Sequence, residues 1–187
     1  MKLKEFSLWG YKLELSESRK FTLTNRCVCA HFERHFKPID TDGVYRVVVK
    51  LSENDSRDGR TEISSSVLKY YKKFDFALFE GLDCLRQKEM LLNTLYDSLV
   101  EVSKTNGWPQ TGFKEAYDRV VEERFENVYF IKRKYNRSKS RYAELVCSHS
   151  SSSFDLFVSV KDSKGKEIFG KLLLTEEPDE YVFGGKV

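Results

Sequence analysis

The 187-residue sequence predicts an α+β fold, a single domain over residues 1–187 in which two helices pack on one face of an antiparallel β-sheet. Three observations predict it. Apolar residues alternate in runs through the early part of the chain. They recur at three- and four-residue spacings between Leu85 and Phe125, and alternation returns from Val128 in segments divided by polar turns. The length suits one domain with a substantial core, and no Pro-rich linker, compositional break or internal repeat divides it.

In chain order, Phe6, Leu8, Tyr11, Leu13 and Leu15 read as a first strand that changes face at Gly10. Residues 22–37 alternate again, with Val28, Ala30, Phe32 and Phe36 on one side and Cys27, Cys29, His31, Glu33 and His35 on the other, which predicts a second strand. Pro38 and the Asp42-Gly43 turn lead into the β-branched run Val44 to Leu51, expected to pair with that strand. Ser52 to Arg60 is a polar loop, and a fourth strand is expected within Ile63 to Phe79. Leu85, Leu91, Leu92, Leu95, Leu99 and Val102 then mark a helix stopped at Asn106-Gly107. Beyond Trp108-Pro109, Phe113, Ala116, Tyr117, Val120, Val121 and Phe125 form the apolar stripe of a second helix, antiparallel to the first because the connection is short. Val128–Lys134, Tyr142–His149, Phe154–Lys161 and Glu167–Thr175 complete the chain as an antiparallel meander with serine-, lysine- and asparagine-rich turns.

Composition narrows the function classes. Apolar residues make up 40% and aromatics 14%, which argues against disorder. Lys plus Arg number 32 against 29 Asp plus Glu, so the net charge is too small to argue for or against nucleic acid, and local clustering has to decide. Met1-Lys2-Leu3-Lys4-Glu5 lacks the apolar stretch of a secretory signal, and no run is long enough to cross a membrane. The expectation is a cytoplasmic protein with free thiols at Cys27, Cys29, Cys84 and Cys147, in which the sequons at Asn54 and Asn136 carry little meaning.

No local pattern marks a catalytic centre. Gly-x-Ser-x-Gly, His-Glu-x-x-His, a Walker loop and a Gly-rich phosphate loop are all absent, and only three histidines are present. Cys27-x-Cys29-x-His31-x-Glu33-x-His35 holds five potential metal ligands. On a straight strand, alternate residues stand nearly 7 Å apart, at about 3.4 Å per residue, so at most two reach one ion. The pattern therefore reads as a half-buried sheet face, with neither metal nor cofactor expected. A second cluster is electrostatic: Lys132, Arg133, Lys134, Arg137, Lys139 and Arg141 lie close together with no intervening acid, and Tyr129, Tyr135 and Tyr142 stand among or beside them. A basic hairpin with interleaved rings suits a phosphate backbone and stacked bases, or it is a solvated tip whose charges resist edge pairing. Residues 82–126 carry nine acids against six bases, so the charge is segregated along the chain.

The helix containing Gln87-Lys88-Glu89-Met90-Leu91-Leu92, then Asn106-Gly107-Trp108, a second helix and a polar-looped meander, together resemble bacterial immunity proteins. These are small cytosolic inhibitors that neutralise the toxin domains of contact-dependent growth inhibition and related polymorphic toxin systems. The resemblance covers the C-terminal two thirds or so and implies steric inhibition of a cognate toxin, without catalysis or membrane association. The slight basicity departs from the strongly acidic immunity proteins that plug basic nucleases. Two alternatives stand beside it: a nucleic-acid-binding domain using residues 129–142, and an enzyme whose site is assembled from distant residues. The expected partner-binding residues are Asp55, Arg57, Asp58 and Arg60 in the first long loop, and Arg133, Tyr135, Arg137, Arg141 and Tyr142 on the basic hairpin.

Overall fold

A computed structural model describes residues 1–179. They form an α+β fold that divides into two compact units, Met1–Phe125 and a second beginning at Glu126. The division falls between the second sequence-predicted helix and the meander, where no Pro-rich linker marks it. Among the described residues, no helix is long and apolar enough to cross a membrane.

The first unit runs β1 (Lys2–Leu3), β2 (Glu5–Gly10), α1 (Leu15–His35), β3 (Ile39–Asp40), β4 (Arg46–Ser52), β5 (Thr61–Ser64), β6 (Val67–Lys73), α2 (Phe76–Glu80), α3 (Cys84–Asn106) and α4 (Thr111–Glu122). Its main sheet has the order β2-β4-β6-β5, with β2, β4 and β6 mutually parallel and β5 antiparallel to β6. The sheet is thus mixed. β1 and β3 form a separate two-residue antiparallel ladder.

The expected second strand over 22–37 is instead the long helix α1, and the expected first strand stops at Gly10. A parallel β2–β4 pair cannot be closed by a hairpin and needs a crossover, which α1 supplies. Its spacing is also helical: Phe21, Asn25, Val28, Phe32 and Phe36 lie three or four residues apart. The alternation misled because every residue from Asn25 to Phe32 is buried, so no polar face reports the period.

α1 is turned by the edge of the sheet. β2 has a partner on one side only, and its other edge exposes the backbone groups of Phe6, Leu8 and Gly10. Side chains of α1 take them up. Glu33 accepts from the Phe6 N–H at 2.6 Å, Arg26 donates to the Phe6 carbonyl, Asn25 to the Leu8 carbonyl at 3.1 Å, and Ser18 to the Gly10 carbonyl at 2.8 Å. Ser18, Asn25, Arg26 and Glu33 follow a spacing near seven residues, or about two turns of helix. The Arg26–Glu33 ion pair, 2.6 Å, neutralises the two charges of this stripe.

Above the sheet, Phe6, Leu8, Val47, Val49, Leu51, Leu68 and Tyr70 meet Leu91, Leu92, Leu95, Leu99 and Val102 of α3, and Phe113, Ala116 and Val120 of α4, in one core. The stacked pair Phe36–Phe113, with centroids 5.0 Å apart, joins the end of α1 to the start of α4, and Phe6 packs edge-on against both rings. α3 starts at an Asp83 cap and ends with Gly107 in the left-handed conformation at φ 69°, as the Asn106-Gly107 stop predicts. Ser64-Ser65-Ser66 forms the tight β5–β6 turn: Ser65 and Ser66 both have positive φ, a geometry usually read from Asn-Gly.

The second unit is the expected meander, β7 (Val128–Tyr135), β8 (Arg141–His149), β9 (Phe154–Asp162) and β10 (Glu167–Glu176), antiparallel in the order β10-β9-β8-β7. Cys147, Phe154 and Leu156 form a small core on one face, flanked by Tyr129, Leu145 and Leu174. Among the described residues no disulfide joins the four cysteines.

The edge clasp predicts that Asn25→Ala costs about 1–3 kcal/mol, because it strands the Leu8 carbonyl beneath the helix. Urea denaturation measures this, with Thr24→Ala, whose hydroxyl bonds only within α1 at an exposed position, staying within about 0.5 kcal/mol of the parent. Equal stability of the two variants would remove the clasp as a stabilising feature.

Candidate functional site

The first of the two predicted loop clusters lies in the first unit. Arg57 projects its guanidinium between two rings, with Nη1 donating to Tyr71 Oη and Nη2 to Tyr11 Oη, both at 2.8 Å, while Nε and Nη2 bind Asp55. It also stacks on Tyr71 at 3.9 Å. Asp55 is nearly covered and receives Lys12 as well, and its bonds from Arg57 hold its carboxyl far below the usual range. Asp58 accepts the Lys73 N–H at 2.7 Å. These groups clasp the loop to the ends of β2 and β6. Arg60 is exposed, and its backbone N–H closes the turn onto Arg57. Beside the clasp, Lys50 sits 3.4 Å over the half-exposed Trp9 ring, and burial, with Lys69 and Arg57 near, lowers its pKa to about 8.

The second predicted cluster lies on the β7–β8 hairpin. Strand register sorts the six bases. Arg133 pairs with Glu144, and by alternation Lys132 and Lys134 pair with Leu145 and Ala143 on the opposite face; a bulge at Ile131 shifts β7 by one residue and so puts Arg133, and not the two lysines, on the face of Phe130. Arg133 donates to Glu144 from Nε and Nη2 and lies over Tyr142 at 4.6 Å, and Lys161 donates to the same carboxylate at 2.7 Å. These bonds, that from Lys161 first, lower the Glu144 pKa. Tyr135 and Tyr142 face each other across the strands at 5.4 Å. Arg137, Lys139 and Arg141 are exposed at the tip.

The face that carries Arg133 and Glu144 also holds a feature with no sequence signal of its own. Phe130, Val146, Phe157 and Leu172 are register partners, one from each strand, and form an apolar row across the whole sheet. Phe130 and Leu172 are about half exposed, at 53% and 47%. The next two rows are Arg133, Glu144, Ser159 and Gly170, then Tyr135, Tyr142, Lys161 and Glu167, with Ser159 donating to Glu167 at 2.6 Å. Strand alternation in β7 and β10 alone misplaces this row, since both strands carry bulges.

The five-residue pattern of potential ligands changes meaning on a helix. Cys27, His31 and His35 stack at i, i+4 and i+8, while Cys29 and Glu33 fall on the stripe toward β2. Burial pushes the Cys27 and Cys29 thiols up to about 11 and about 12. Glu123, which follows α4, places Oε2 at 2.7 Å from His31 Nε2 and 3.0 Å from His35 Nε2. The chain leaves Glu123 through Arg124 and Phe125, both at positive φ, and the Phe125 ring is buried in the core, so the end of α4 is held in a sharp turn. Burial lowers the His31 pKa to about 4, against the raising effect of its bond to Glu123. Burial acts to raise the Glu123 pKa, but the two histidine bonds outweigh it and leave it lowered.

The neutral, buried state of His31 sets a pH dependence. An unfolded histidine takes up a proton below about 6.5, whereas His31 in the fold resists until about 4. Stability from this residue is therefore complete above pH 6.5 and falls as pH drops toward 4. Glu123, Arg34 and His35 are the charged or titratable groups acting on it, and Glu123 adds a loss of the same sign below the normal carboxylate range. The expected loss between pH 7.5 and pH 5 is about 2 kcal/mol, read from urea unfolding at each pH, and His31→Gln should remove most of that slope. An unchanged slope would contradict the assignment. No family model matches this chain, and comparison with curated proteins and with solved structures finds no match, so the functional reading rests on these residues.

Proposed function

We propose that the chain is a protein-binding inhibitor of the immunity class, which covers the active site or substrate groove of a cognate bacterial toxin and transforms nothing itself. The observation that carries this reading is the row Phe130, Val146, Phe157 and Leu172, open across all four strands of the second unit and bordered by charged rows and a basic hairpin tip. An apolar centre with a polar rim is the anatomy of a protein-binding surface. Arg133 and Lys161 both donate to Glu144, so covering this row strands no carboxylate and leaves one excess positive charge for the partner to meet. Arg137, Lys139 and Arg141 at the tip point to an acidic border on the partner.

A nucleic-acid reading has less support from the same geometry. Arg133 is held by Glu144, Lys132 and Lys134 lie on the opposite face, and the hairpin rings pack on Arg133 and on each other. The bases form no continuous track along one face. Asp55 and Arg57 are spent on their own loop, which leaves the hairpin as the better place to look for a partner.

The test pairs the purified chain with the C-terminal domain of the protein encoded by the reading frame immediately upstream. Binding measured by calorimetry and protection of cells expressing that domain are both expected. Leu172→Asp and the double reversal Arg137→Glu/Arg141→Glu should each weaken binding by at least about tenfold, with melting temperatures within about 2 °C of the parent. No binding to that domain, or full affinity in both variants, would overturn the reading. Steeply salt-dependent binding to mixed RNA or DNA would replace it with the nucleic-acid alternative.

A further inference from the structure

We propose that His31, His35 and Glu123 form a binding site for one divalent transition-metal ion of the zinc class, held between α1 and the end of α4. The inference is independent of the docking surface, for all three ligands lie in the first unit. Two imidazoles and a carboxylate are a donor set that zinc-class ions accept, and the three ligand atoms lie within 4.8 Å of one another. Four-coordinate geometry with donors at about 2.0–2.2 Å sets ligand atoms about 3.3–3.6 Å apart. The present Nε2 to Oε2 separations of 2.7 and 3.0 Å would open by about 0.3–0.9 Å to reach that spacing, a shift that turning the Glu123 side chain can supply, while the two imidazole nitrogens stay within 4.8 Å of each other.

The three groups differ in freedom in a way that suits capture of an ion. His31 is 1% exposed and fixed within the helical core, His35 is partly open, and the Glu123 side chain is 43% exposed and tied to the protein chiefly through the two histidines that would share the ion. Binding replaces two Nε2–H bonds to the carboxylate with two Nε2–metal bonds, and each ring carries its proton on Nδ1 instead. His35 also lines a cleft of about 460 Å³ with Lys37, Glu115, Asp118, Arg119 and Glu122, through which an ion and a fourth, water ligand can enter. Lys37 and Arg119 of this cleft are paired with Glu115 and Glu122, which partly neutralises these two cations.

Cys27 stands on the same stripe but is buried beyond the three ligands, and Cys84 is exposed and offers an adventitious thiol. The experiment therefore uses the full chain stripped with a chelator and titrated with Zn²⁺ against a chromophoric competitor. The parent and Cys84→Ser should each bind one ion and melt at a higher temperature in Zn²⁺ than in chelator. His35→Ala and Glu123→Gln should weaken binding by at least about tenfold and lose the zinc-dependent rise in melting, while still folding in chelator. Co²⁺ should show the visible absorption of a four-coordinate site in the parent and not in His35→Ala. Absence of stoichiometric binding by the parent, binding that survives in His35→Ala, or binding lost in Cys84→Ser would each overturn the site.

Discussion

The free edge of β2 is the constraint on which the first unit depends. An unpaired row of backbone groups beneath a helix must find partners or lose several favourable interactions with water. α1 provides Ser18, Asn25, Arg26 and Glu33 along one stripe, and these reach the backbone of Phe6, Leu8 and Gly10. That pairing sets the rotation of α1 about its axis. With the rotation set, Phe32 and Phe36 turn into the aromatic core with Phe6 and Phe113, and His31 and His35 turn toward α4. The polar stripe that closes the sheet and the histidine stripe that meets Glu123 are two sides of one helix, so neither can move without the other.

The second unit manages its polar groups differently. Its small core occupies one face of the meander, and its other face is divided between the satisfied network of Arg133, Glu144 and Lys161 and an open apolar row. A charge already paired within its own sheet gains little from a partner, whereas exposed Phe130 and Leu172 gain by being covered. Of the six bases in the hairpin, Arg133 thus contributes to order, and Arg137 and Arg141 at the tip remain available.

Legibility in the sequence followed how many surfaces each element touches. α3 and the Gly107 stop were readable because the helix buries one stripe and leaves the other polar. The meander was readable because serine- and lysine-rich turns punctuate it. α1 was read as a strand because its middle, Asn25 to Phe32, is buried all round, and Cys27 to His35 happen to alternate in polarity as well. The parallel pairing of β2, β4 and β6 left no local mark either, since direction depends on the crossover. Among the candidate binding residues, the hairpin arginines and tyrosines were visible from charge clustering, but which of them share a face with Phe130 was not. A single bulge at Ile131 decides it.

From the sequence by itself came the α+β class, the α3 and α4 helices, the four closing strands, the segregation of charge and the lack of a local catalytic motif. These depend on propensities and spacings within a few residues, which the chain carries wherever it folds. Tertiary structure decided between the alternating and the helical spacing that α1 carries together, brought His31 and His35 to a carboxylate 92 and 88 residues distant in sequence, and set four apolar side chains from four strands in one row. Each of those depends on which backbone edge needs a partner and how strands register, and both are settled only when distant segments compete for the same bonds.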